Sequence, residues 1–181
     1  SGAPVRGRSE DGVECFGVAA SLRYMPEKGD HGKVASTLTY AFSDDLTLGI
    51  DYRPLSADLT VIGAFRLIDE STWRPAVVVG TSADEFHSVL SQAYHVIMSK
   101  NVFEYEGIAG SPYLGSIYIQ ELGEFNIIGG MTLRRDRFSL MGMWSGADAH
   151  IIAKYDLTTH LSAGVVWWGL KTAGITVGLK F

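Results

Sequence analysis

A histidine and a serine two positions apart are the residues of this chain best placed for catalysis. His160 and Ser162 would share one face of a β-strand, because alternate residues of a strand point to the same side. A serine becomes a nucleophile when a base accepts its proton and a third group holds that base. No acid follows Ser162 directly, so Asp156 or another strand would have to supply one. We therefore interpret the pair as two polar residues inside the fold and predict that the protein is not an enzyme.

The other candidate ligands do not indicate a metal or a cofactor. His95, His150 and His160 are not spaced as metal ligands usually are. Cys15 is the only cysteine, which excludes an intramolecular disulfide and a cysteine-based metal site. The net charge of −5 and the lack of a basic stripe argue against nucleic acid. The sequence thus predicts no cofactor, no metal and no nucleic-acid partner.

The elements that would position these residues are strands with alternating apolar and polar positions. Between Gly174 and Phe181 every second residue is apolar, and the residues between them are small or polar. A free terminal strand of this kind invites aggregation unless another strand pairs with it, and a closed barrel removes such edges. The alternation predicts twelve strands, at residues 16–24, 34–42, 46–53, 59–67, 73–80, 94–99, 103–106, 125–134, 138–145, 150–157, 160–168 and 174–181. Ten strands would remain if the sixth and seventh merge with loops.

The composition indicates a membrane protein that crosses the bilayer with strands. The chain is 46% hydrophobic and 19% charged, where soluble domains have about a quarter charged residues. Its mean hydropathy is positive, yet it has no run of about 18 apolar residues that could form a spanning helix. Only helices and closed barrels satisfy every backbone group in hydrocarbon. We therefore predict an all-β fold: a closed antiparallel up-and-down transmembrane β-barrel over residues 15–181, after a flexible segment at 1–14.

A soluble barrel of lipocalin type, with its apolar face inside, is the alternative. Twelve large aromatic residues fall on the apolar face, and they would overfill the interior of an eight-stranded barrel. The opposite face is mostly Gly, Ala, Ser and Thr, which is too poor in charge for a soluble exterior. These observations favour an apolar face turned to lipid and a location in the bacterial outer membrane.

Connection lengths add an orientation to this prediction. The long connections, at 25–32, 81–92 and 110–124, would all fall at one end, as the external loops of outer-membrane barrels do. An even number of strands places both termini at the other end. Loops on a rigid scaffold often bind partners, so 81–92 and 110–124 are candidate contacts for an envelope protein. The lipid bilayer itself is the other predicted partner.

The predicted inner face, opposite the apolar positions of the strands, carries an excess of basic residues. Its charged residues are Arg23, Asp51, Arg53, Arg66, Arg74, Glu104, Glu106, Arg134, Lys154, Asp156 and Lys180. Charged rings set the selectivity of pores, so one interpretation is a narrow pore that favours anions or acidic sugars. The other interpretation is that these charges pair across the lumen and plug it, because confined charges are costly unless paired or hydrated.

Two short motifs resemble known outer-membrane families. The stretch Arg74–Gly80 followed by Tyr94–Lys100 resembles the YjbH-like exopolysaccharide-associated outer-membrane proteins, which have a Pro-Ala strand, a loop and a Tyr-x-Val-x-Ser-Lys strand. That resemblance implies an outer-membrane barrel linked to glycan export or envelope assembly, without catalytic residues. The His160-x-Ser162 spacing resembles that of outer-membrane lipid A deacylases, which would imply a lipid-modifying enzyme. The functions predicted are, in order, a narrow passive pore or glycan-export accessory, a plugged structural or partner-binding barrel, and a lipid-modifying enzyme.

Overall fold

The described part of the chain consists of antiparallel strands joined by short connections. The structure is a computed structural model that describes residues 17–26, 33–86 and 89–181. The predicted flexible segment at 1–14 and Cys15 lie outside the described residues. The strands are β1 (Gly17–Tyr24), β2 (Val34–Ala41), β3 (Leu46–Arg53), β4 (Asp58–Ile68), β5 (Ala76–Phe86), β6 (Val89–Ser99), β7 (Phe103–Tyr105), β8 (Ile108–Ile119), β9 (Glu124–Arg135), β10 (Phe138–Trp144), β11 (Ala149–Asp156), β12 (Leu161–Trp168) and β13 (Thr172–Lys180).

Twelve of these strands close into a barrel, and β7 is an additional strand at its rim. Each strand pairs with its sequence neighbour except that β6 pairs with β8 and not with β7, and β13 pairs with β1. Val18 and Phe181 exchange backbone hydrogen bonds of 3.1 and 2.8 Å across the β1–β13 seam. The prediction of a closed, antiparallel, twelve-stranded up-and-down barrel is therefore confirmed. We call the end where β1 begins and β13 finishes the Phe181 end, and the opposite end, where β12 finishes, the Trp168 end.

The position predicted for one wall strand is wrong. The alternation placed the seventh wall strand at Phe103–Glu106, but the strand that follows β6 around the wall is β8, most of which lies in the range predicted as an external loop at 110–124. The outward positions of β8 include Gly110, Pro112 and Ser116. Because these residues are not large and apolar, the strand lacks the alternation that identified the others.

β6 and β7 both pair with β8 on the same edge, one after the other, and a β-bulge separates them. Ser99 pairs with Tyr113 and Phe103 pairs with Gly110, so residues 100–102 face only residues 111–112. Lys100 N donates a hydrogen bond of 3.2 Å to the Pro112 carbonyl oxygen. Proline lacks an N–H and within sheets is confined to edges and bulges. The missing N–H of Pro112 thus faces an interruption in the ladder.

Two of the three long connections predicted at one end, 81–92 and 110–124, are largely strands, and the third, 25–32, lies mostly outside the described residues. The range 81–92 is largely the β5–β6 hairpin, with residues 87 and 88 outside the described part. Within the described residues, the longest connection is the one from Asp69 to Pro75, and it lies at the Phe181 end. At the Trp168 end, tight turns are typical: Gly169 and Leu170 both have positive φ, and Lys171 N donates to the Trp168 carbonyl. The three residues 169–171 therefore connect β12 and β13 through left-handed backbone.

The outer face of the barrel is apolar around nearly its whole circumference. Large apolar side chains are exposed on β1–β4, β6 and β8–β13. Aliphatic residues such as Ile50, Val61 and Val165 occupy the middle of the wall. Exposed aromatic residues lie near both ends: Phe42, Phe65, Phe138, Tyr155 and Phe181 at one, and Tyr24, Tyr52, Phe125, Trp144 and Trp167 at the other. An apolar band between two aromatic girdles is the pattern of membrane barrels.

The buried core lies on the inner face. Ala93, Ile117, Ile119 and Ile128, on β6, β8 and β9, form a buried apolar cluster against which Ile97 and Leu122 pack. Several inner positions on other strands are small, such as Thr39, Thr47 and Gly164. One side of the lumen wall is therefore packed, while other sides carry small residues.

Candidate functional site

The structure does not join His160 and Ser162 as a catalytic pair. His160 lies in the turn before β12, where its Nδ1 donates to the Lys180 carbonyl oxygen at 2.9 Å. Ser162 is buried, and its Oγ donates to the Gly178 carbonyl oxygen at 3.3 Å. Asp156 is the cross-strand neighbour of Ser162, but its carboxylate faces two lysines. In the described part of the chain, His160 and Ser162 thus bond to two different backbone carbonyl oxygens rather than to each other, whereas activation of the serine would need the histidine as its base.

Most of the charged residues predicted for the lumen lie on inner positions of the wall. These are Arg23, Asp51, Arg53, Arg66, Arg134, Lys154, Asp156 and Lys180. The other three lie outside the closed ring. Arg74 is exposed in the connection before β5, where its Nε donates to the Asp69 carbonyl oxygen at 3.4 Å. Glu104 is exposed on β7, and Glu106 occupies the following turn with φ of 50°.

Asp51 and Arg53 form a buried ion pair at the Trp168 end. Both point inward from β3, and Arg53 Nε lies 3.2 Å from Asp51 Oδ1. Arg53 Nη2 also donates to the Ala83 carbonyl oxygen at 3.1 Å. Thr37 Oγ1 donates to the second carboxylate oxygen of Asp51 at 3.1 Å. The Arg53 side chain is only 2% exposed. Its burial is tolerated because the Asp51 carboxylate balances its charge and the Ala83 carbonyl oxygen accepts one of its N–H groups.

A stack of three side chains crosses the inner wall at the same end. The rings of His150 and Trp168 stack with centroids 3.9 Å apart, and the Arg23 guanidinium carbon lies 5.3 Å from the Trp168 centroid. His150 Nδ1 accepts a hydrogen bond of 2.8 Å from Gly169 N, so a neutral ring carries its proton on Nε2. His150 and Trp168 were not among the predicted lumen residues. Their strand parity was the signal available, since both fall on inner positions.

The Trp168 end of the lumen is packed more tightly than the Phe181 end. Met25, Arg53, Ile119 and His150, which we call the collar, are among the largest fully buried side chains described. Each projects inward near the Trp168 end, and Met25 packs over Gly174, where an added Cβ would collide with Met25 Cγ. An inward side chain without water contact has other groups packed on its lumen side. The collar therefore narrows the lumen at this end.

The charged side chains at the Phe181 end remain in contact with water. Lys154 and Lys180 are 33% and 34% exposed, and each Nζ lies 3.9 Å from Asp156 Oδ1. Arg66 Nη1 lies 3.2 Å from Asp69 and 3.8 Å from Asp45, both of which are exposed. The inner wall thus has a hydrated, charged half and a packed half.

Comparison of the chain with protein-family models, curated proteins and solved structures found no match. Among residues 17–26, 33–86 and 89–181, no three His, Cys, Asp or Glu side chains group as a metal site would require. No helix in the described part is long and apolar enough to span a membrane. The fold, a closed twelve-stranded barrel with an apolar outer wall, is compatible with a pore-like outer-membrane protein.

Proposed function

We propose that the protein is a bacterial outer-membrane barrel that acts as a narrow pore for small polar solutes. The carrying observation is the contrast between its two faces: large apolar side chains are exposed outside, while Lys154 and Lys180 are hydrated inside. Contiguous exposed apolar surface of this extent marks contact with lipid or protein rather than water. Solutes would enter through the charged Phe181 half and be restricted by the collar.

Single-channel recording in planar bilayers tests this function directly. We expect the wild-type chain to give small current steps and Met25→Ala to enlarge them, since Met25 belongs to the collar. Met98→Ala is the matched control, because Met98 is an exposed methionine of the outer wall and its loss leaves the lumen unchanged. Equal conductance in all three proteins would contradict a constriction at the collar.

A plugged barrel with a structural or partner-binding role is the second candidate, and the collar favours it. Four bulky side chains with little or no water contact at one end are what a closed lumen would require. Absence of current steps in both the wild-type chain and Met25→Ala would support this candidate and overturn the pore. A chain that remains monomeric in water without detergent would overturn the membrane location of both.

An accessory role in envelope glycan export is a narrower proposal. It is supported only by the resemblance of Arg74–Gly80 and Tyr94–Lys100 to a family associated with exopolysaccharide. Deleting the gene and measuring secreted polysaccharide tests it. An unchanged yield, with normal export in the parent strain, would remove glycan export and leave the general pore function standing.

A further inference from the structure

One carboxylate serves two ammonium groups on the hydrated half of the inner wall. Asp156 Oδ1 lies 3.9 Å from Lys154 Nζ and 3.9 Å from Lys180 Nζ. Both distances exceed those of hydrogen bonds, so Asp156 attracts the lysines without binding either one directly. The three side chains together carry one net positive charge.

The inner wall between these two lysines consists of small residues. Between them, at the level of Asp156, the inner residues are Ser162 on β12 and Gly178 on β13. The Ser162 hydroxyl donates to the Gly178 carbonyl oxygen, so it lies along the wall rather than projecting into the lumen. A Cβ added to Gly178 would meet Ser162 Oγ at 2.8 Å, so a larger residue here would displace the serine hydroxyl. The long side chains of Lys154 and Lys180 therefore flank a patch of inner wall that carries only small residues.

A third cation lies along the same register. Ser139 on β10 pairs with Arg134 on β9 on one side and with Lys154 on β11 on the other. Arg134 is exposed, and Lys154 and Lys180 keep about a third of their side-chain surface in contact with water. An anion arriving from the Phe181 end meets this positive potential in a confined space, where fields are focused.

We propose that Lys154 and Lys180 form a binding site for the carboxylate or phosphate group of small acidic solutes, with Asp156 as a built-in competitor. The site rests on the proposed pore function for its access and would give that pore its anion preference. A solute oxyanion between the two ammonium groups replaces the long contacts to Asp156 with charge-assisted hydrogen bonds, which are shorter and stronger. Removing the Asp156 charge therefore strengthens the site, and removing the lysines abolishes it.

Reversal potentials in a KCl gradient test the effect on selectivity. We expect Asp156→Asn, which removes one charge, to raise the chloride-to-potassium permeability ratio about fivefold, the effect of one unit charge about 4 Å away in water. The double variant Lys154→Gln/Lys180→Gln, which removes two positive charges, should lower the ratio by a larger factor. Lys171→Gln is the matched control, because Lys171 is an exposed lysine in the turn at the Trp168 end.

Calorimetric titration of the folded protein in detergent tests binding without conduction. D-glucuronate and inorganic phosphate are the carboxylate and phosphate probes, and D-glucose is the neutral control that lacks the carboxylate. We expect at least one of the two anions to bind to the wild-type chain and more tightly to Asp156→Asn, and neither to bind to the double lysine variant. Glucose should not bind to any of them.

The outcomes separate the site from the pore. Anion binding that is lost in the lysine variant, without conductance in any protein, would support the site and overturn the pore. Conductance with the same selectivity and no anion binding in wild-type, Asp156→Asn and lysine variants would overturn the site and leave the pore. Equal changes in Lys171→Gln and the double variant would also overturn it, because net charge alone would then explain the effect.

Discussion

Arg53 illustrates how a single residue determines the packing of the lumen. It has almost no water contact, and its Nε lies 3.2 Å from Asp51 Oδ1. The pair lies on alternate positions of one strand, so both side chains point inward. Removing one member of a buried pair leaves a charge that the interior stabilises poorly, at a cost of about 3–5 kcal/mol. Asp51 is therefore expected to matter more for stability than any exposed carboxylate of the barrel.

The first prediction compares two aspartates that face arginines. Asp51→Asn should lower the free energy of unfolding by about 3 kcal/mol, because Arg53 loses its carboxylate partner. Asp45→Asn should change it by less than about 0.5 kcal/mol, because Asp45 is exposed and 3.8 Å from Arg66. Urea unfolding in lipid vesicles, followed by tryptophan fluorescence, measures both. Similar values for the two variants would mean that the Asp51–Arg53 pair is not isolated from water.

At the scale of elements, the inclusion of β8 in the barrel wall depends on pairing with its neighbours rather than on the pattern of its own sequence. Its outward positions include Gly110, Pro112 and Ser116, which carry little apolar surface. Pairing with β6 and β7 on one side and β9 on the other nevertheless makes it part of the wall. A closed ring needs a strand at this position, since an open edge leaves backbone groups without partners.

The second prediction compares the effect of proline at two positions of β8. Ser116→Pro should lower the unfolding free energy by at least about 2 kcal/mol, because Ser116 is paired on both sides and a ladder hydrogen bond is lost. Pro112→Ala should change it by less than about 1 kcal/mol, because position 112 faces the bulge at residues 100–102. The same urea titration measures these variants. A large loss in Pro112→Ala with a small one in Ser116→Pro would contradict the bulge.

At the scale of the whole molecule, the apolar outer wall is the property from which the membrane location is inferred. The wall is continuous because twelve strands, each with an outward apolar set, close on one another. In water such a surface would promote association, and in a bilayer it matches the hydrocarbon. A single charged side chain introduced on the outer wall can therefore test whether lipid or water surrounds the barrel.

The third prediction introduces a charge at two outward positions. Val165→Lys, in the middle of β12, should cost about 2–4 kcal/mol in lipid vesicles, because a lysine there would lie near the bilayer midplane. Leu157→Lys, just beyond β11, should cost less than about 1 kcal/mol, since it lies near the interface. Both native residues are exposed, so burial within the protein does not separate them. Equal, small costs at the two positions would indicate water outside the barrel.

The sequence alone determined the fold class, the number of wall strands and most of the inner and outer faces, because strand alternation is a local property that each residue reports independently. It did not determine which segment completes the ring, since β8 breaks the alternation and is held by hydrogen bonds to strands on both sides. It also placed Lys154, Asp156 and Lys180 on the inner face without indicating that they meet. Only the pairing of β12 with β11 and β13 brings one carboxylate to both lysines, because contact between distant residues depends on the register of the closed sheet.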